Sequence, residues 1–115
     1  MEKTFICLAS YRETIKLFHF QTLSFAHHKA SDELVSKIDD LSDTLFESWQ
    51  GLENSRISLG RSTQLILKGQ QKKNDIHAYS RNTIEYLLSI DNPELATIRD
   101  ELVTAINKFI YLLSF

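Results

Sequence analysis

Apolar side chains recur every three or four positions along most of this chain, the spacing that turns one face of an α-helix toward a core. One set is Leu8, Tyr11, Ile15 and Phe18, and a second is Ala30, Leu34, Ile38, Leu41, Leu45 and Trp49. A third, Ile76, Ile84, Leu87 and Leu88, precedes a fourth, Leu95, Ile98, Leu102, Ala105, Phe109 and Leu112. The pattern predicts helices over residues 5–21, 25–50 and 75–90, and a fourth from residue 93 into the apolar C-terminal end. Nothing breaks the first two apart outright. A helix of more than forty residues would be unusual in so short a chain, so a turn is expected at residues 22–24, with Ser24 as N-cap of the second helix. Gly51 is the expected stop of that helix. Asn92, Pro93 and Glu94 read as a helix start: a cap, a proline at the first position, and an acid where the helix dipole favours it. Between these elements, residues 52–74 are the least regular, with a short helix expected over 61–67 and a polar loop over 69–74.

Four such helices make an antiparallel four-helix bundle, a single domain spanning residues 1–115. Only three glycines and one proline punctuate the chain, which favours long helices over strands and turns. The hydrophobic share of 43% suffices for a core. A net charge of −2 with scattered Lys and Arg gives no polyanion-binding signature, and the lysines of residues 68–73 read as a solvated loop, so DNA binding is not expected. No apolar run is long enough to span a bilayer, so no membrane association is expected. The lone Cys7 excludes an internal disulfide framework and suits a reducing, cytoplasmic setting; it reads as a small core residue.

The chemistry lies in two pairs at i, i+4: His28 with Asp32, and Asp43 with Glu47. That spacing delivers two donors side by side on one helical face, in a mixture of nitrogen and oxygen suited to a transition metal. The pairs are about 16 Å apart along a helix, so one ion cannot reach both within one chain. A partner helix related by an antiparallel two-fold would bring the first pair of one chain beside the second pair of the other. His19 joins the first pair only if the chain folds back, because nine residues of unbroken helix would set its ring opposite that of His28. His27 has only Ser31 four positions on, a poor ligand, and is expected at the surface or behind the ligands; His77 is expected at the surface. Asp39 and Asp40 run close to the same stripe as supporting or solvated charges.

The segment from His19 through His28 and Asp32 to Asp43 and Glu47 resembles the metal-site region of Dps, the starvation-induced mini-ferritins. The last four positions match that family's spacing, and His19 matches its first histidine across a connection about three residues shorter. Phe20 stands where that family usually has Trp, and no lysine-rich tail is present. The string FHFQTLSFAHHKASDEL is also similar to small ferritin-like proteins of bacteriophages and large DNA viruses. The resemblance implies a ferritin-like bundle and a homo-oligomer, with a two-fold dimer and room for a cage. It also implies a ferroxidase site between subunits for one or two iron ions, with Zn or Mn as substitutes. His19, His28 and Asp32 would come from one chain, and Asp43 and Glu47 from the other. Iron oxidation and sequestration would follow, in the host cytoplasm or a virion if the source is viral. The alternative is a non-catalytic virion or host-interaction protein on the same scaffold.

Overall fold

The computed structural model describes residues 1–65, 67 and 72–115. Among these, the chain forms α1 (Glu2–Gln21), α2 (Phe25–Glu53), α3 (Lys73–Leu88) and α4 (Ala96–Leu112), with a 3-10 turn at Pro93–Leu95 and no strand. α1 stops where expected, and the backbone N–H of Thr22 still donates to Phe18. Ser24 caps α2 by accepting from the N–H of His27 at 3.2 Å, and its own N–H donates to Thr22 Oγ1. Residues 22–24 are thus hydrogen-bonded to both flanks, which fixes how the two helices face each other.

α2 passes through Gly51 and ends instead at Asn54, whose φ of 47° lies in the left-handed region. Asn accepts that conformation at low cost, so the carboxamide residue, not the glycine, terminates the helix. α3 starts two residues earlier than its periodicity predicts, with Asp75 accepting from the N–H of Lys72. Asn92 caps the next turn by accepting from Glu94, as the sequence predicts. The short helix expected over 61–67 does not form at its described positions; residue 66 lies outside the described residues, as do Lys68 and residues 69–71 of the expected loop, while Lys72 and Lys73 are exposed at the start of α3. Asn74 belongs to α3.

Each helix packs on two others: α1 on α2 and α3, and α4 on α2 and α3. α1 and α4 make no close backbone approach, nor do α2 and α3, among the described residues, so these pairs lie across the diagonals, where Phe18 of α1 meets Phe109 of α4 edge-on with ring centroids 6.4 Å apart. Phe5 near the start of α1 meets Phe46 late in α2, Arg12 meets Asp39, and His19 meets His28 at the turn. Toward α3, Thr4 bonds Tyr86 and Tyr11 bonds Ser80 at 2.6 Å. Leu8, Ile15, Ile38, Leu45, Ile76, Leu87, Leu102, Ile106 and Phe109 fill the centre, each at most 2% exposed. Burial at that depth contributes about 1.5–3 kcal/mol per large apolar side chain. Cys7 is half-buried, not fully in the core, and burial raises its thiol pKa to about 11, so it stays protonated and unreactive at neutral pH.

Candidate metal centre

The α1–α2 turn brings His19 and His28 into face-to-face contact, with ring centroids 3.8 Å apart and planes 22° from parallel. His19 Nδ1 lies 2.8 Å from the carbonyl oxygen of His28, and His28 Nδ1 lies 2.9 Å from that of His19. A carbonyl can only accept, so in each neutral ring the proton sits on Nδ1 and Nε2 keeps its lone pair. Both imidazoles are therefore held in the tautomer that ligates through Nε2. His19 is buried at 7% exposure while His28 is exposed. The site has a fixed inner ring and an open outer one.

Two neighbouring groups brace this pair. Ser31 is fully buried; its hydroxyl donates to the His27 carbonyl at 2.7 Å and lies 3.0 Å from that of His28 and 3.3 Å from His19 Nδ1. Phe20 packs against His19 with centroids 5.3 Å apart, and Lys16 Nζ stands 5.2 Å over the Phe20 ring.

His27 is not a surface residue. It is buried, its Nε2 donates to the Leu113 carbonyl at 3.1 Å, and its ring lies against Phe18. The proton on Nε2 gives it the opposite tautomer to its neighbours, and it ties the start of α2 to the end of α4. His77 is exposed, as expected.

Asp32 stands exposed one turn beyond His28, on the rim of a groove of about 1000 Å³ between α2 and α4. Asp43 and Glu47 are exposed farther along α2; Asp43 lines a second groove, of about 630 Å³, between α1 and α2. Asp39 is held by Arg12 through two nitrogens at 3.0 and 3.2 Å, so its charge is answered within the chain. Asp40 is exposed. Among the described residues of a single chain, no three His, Cys, Asp or Glu side chains gather to hold an ion. The structure thus joins the two histidines, leaves Asp32 one helical turn from His28 without gathering it to the pair, and keeps Asp43 and Glu47 farther along α2.

Two imidazole nitrogens and a carboxylate one helical turn away are donor types that suit iron, zinc or manganese. Sequence reasoning missed Ser31 and the role of His27. The available signal was that Ser31 shares the buried stripe of Ala30, Leu34 and Ile38, where a serine needs a hydrogen-bonding reason to sit.

Among the described residues, the chain is an all-helical bundle of four α-helices with a stacked histidine pair at its first turn. The chain belongs to a family of unknown function, DUF5856, whose model matches residues 19–113, a span that opens on His19 and takes in every candidate ligand. No curated protein and no solved structure matches the chain.

Proposed function

We propose that this protein binds Fe(II) as a substrate at a site shared by two subunits, in the manner of the Dps mini-ferritins, and promotes its oxidation and sequestration. The observation that carries the reading is the reciprocal His19–His28 pair, whose Nδ1 atoms are both engaged by backbone carbonyls, leaving both Nε2 lone pairs as donors. Asp32 adds an oxygen donor on the same side, and Asp43 and Glu47 of the partner subunit complete the set. The outer face of α1 and α2 supports a second copy as the partner. Its turn end carries Lys16, the two histidines and exposed Phe20, Leu23 and Phe25; its far end carries Asp43, Glu47 and partly exposed Phe5. An antiparallel two-fold sets basic against acidic and apolar against apolar.

The ferritin-like plan is part of the proposal. The start of α1 meets the ends of both α2 and α3, so α2 and α3 run in the same direction and the chain must cross the length of the bundle to join them. A bundle with a single crossover of that kind is the ferritin-like arrangement.

The test is an anaerobic Fe(II) titration of metal-free protein, followed by admission of oxygen or peroxide with absorbance recorded over time. Saturable binding and rapid oxidation, both lost in His28→Ala, are expected. Binding no better than buffer overturns the reading.

A second reading has its own observation. Leu23 stands at the apex of the turn at 104% exposure, between Phe20 at 69% and Phe25 at 79%. Exposed apolar clusters of this kind mark interaction sites, which favours a non-catalytic virion or host-interaction module. Under that reading Leu23→Asp abolishes partner capture while iron titration of the wild type shows nothing.

A further inference from the structure

We infer that Ser31 is a positioning residue of the histidine pair: together with the His28 carbonyl it holds the proton of His19 on Nδ1 and so leaves Nε2 its lone pair as a donor. Only the use of that donor rests on the metal-binding reading; the proton placement stands on this chain's own hydrogen bonds.

The hydroxyl of Ser31 has one hydrogen, and its shortest contact is the His27 carbonyl at 2.7 Å, the i−4 oxygen that a helical serine commonly takes. The His28 carbonyl at 3.0 Å is the alternative acceptor for the same hydrogen. With its hydrogen committed to a carbonyl either way, Ser31 can present only a lone pair to His19 Nδ1, 3.3 Å away. His19 Nδ1 therefore faces two acceptors, the His28 carbonyl and the Ser31 oxygen, and both require a proton there. In the other tautomer, two nitrogen and oxygen lone pairs would confront each other in a site from which water is excluded.

Ser31 is not a ligand. It is completely buried on the core side of α2, while the open side of the pair is that of His28. Its action is through His19, in the way that groups behind metal-binding histidines fix ring orientation and tautomer. It also braces both partners at once, since the carbonyls of His27 and His28 are within its reach.

The experiment is a long-range nitrogen–proton NMR correlation on metal-free, folded protein, which reads the tautomer of each histidine, paired with a Co(II) titration. In the wild type, His19 and His28 are expected as Nδ1–H tautomers and His27 as Nε2–H. Ser31→Ala leaves the His28 carbonyl as one acceptor where there were two, and is expected to shift part of the His19 population to the Nε2–H tautomer and to weaken Co(II) binding about 10- to 100-fold. Ser31→Thr, which restores a hydroxyl, is expected to return His19 to the Nδ1–H form. If Ser31→Ala does not fold, Ser31→Cys preserves the volume with a far weaker donor and acceptor, and the metal-free spectrum is read on it. A His19 that stays wholly Nδ1–H in the variant overturns the inference. A wild type that binds no Co(II) while the variant still shifts the tautomer overturns the metal reading and leaves the Ser31 role standing.

Discussion

His19 and His28 exchange the same hydrogen bond in both directions across the α1–α2 turn, each ring donating Nδ1–H to the other's backbone carbonyl. The two rings nonetheless differ in surroundings, because one is buried and the other is open. Their removal should therefore cost the same in function and different amounts in stability. His19→Ala leaves a cavity at a buried position and removes a hydrogen bond to the α2 backbone, and is expected to destabilise by about 1–3 kcal/mol. His28→Ala, at an exposed position, is expected to cost about 1 kcal/mol or less. Urea unfolding of both variants, beside their Fe(II) titrations, checks this; equal stability losses would mean that His19 is no more enclosed than its partner.

A shared site makes a distinctive prediction about mixtures. His28→Ala and Glu47→Ala homodimers are each expected to be inactive in iron oxidation. Mixed after mild dissociation, they form heterodimers in which one of the two sites holds both lesions and the other holds none. Activity should reappear on mixing. Silence in the mixture, with heterodimers demonstrated by mass spectrometry, would place all the ligands in one chain.

The turn can be weakened without touching a ring. Ser24→Ala removes the α2 cap beside the histidines, and Asn92→Ala removes the equivalent cap far from them. Each is expected to cost about 0.5–2 kcal/mol. Only Ser24→Ala should also reduce metal affinity, since only that cap fixes the approach of the two rings. Matching affinities in the two variants would show that the rings hold their geometry without the turn.

High pH should unfold the protein through the α1–α3 seam. Burial raises the Cys7 pKa from 9.0 to about 11, and burial raises that of Tyr11 further still, against the opposing hydrogen bond from Ser80. Both groups are neutral in the folded state over a range where the unfolded chain already releases protons. Their contribution is complete below about pH 9 and is lost as pH rises through 11. The urea midpoint is expected to fall between pH 8.5 and 10.5 by these groups' ionisation in the unfolded chain, and to fall less in Cys7→Ala. A midpoint that is flat over that interval would contradict the burial of both groups.

Much of this was legible in the sequence. The three-and-four spacing located the helices, and the unlikely length of an unbroken helix located the turn, which the Ser24 cap makes. What periodicity could not supply was the phase of the two helices about their axes. A rotation of one residue decides which histidine faces the core, and here it buries His27 against Leu113. Ser31 was passed over for the same reason: its value comes from a ring nine-tenths hidden on another helix. Gly51 misled because a glycine permits a helix to end without requiring it, while the left-handed Asn54 ends it. Under the shared-site proposal, Asp43 and Glu47 act with a second chain, which no single sequence displays.

The histidine pair also differs from the rest of the bundle in how far apart its members lie along the chain. Nine positions separate His19 from His28, whereas 69 separate Tyr11 from Ser80 and 86 separate His27 from Leu113. Closing a short loop costs little chain entropy, so contacts of this range form early and the long-range ones late. The donor pair accordingly belongs to the first hairpin made during synthesis, before α3 and α4 exist to enclose it. Its appearance in time is set by the turn, and its permanence by the helices that arrive afterwards.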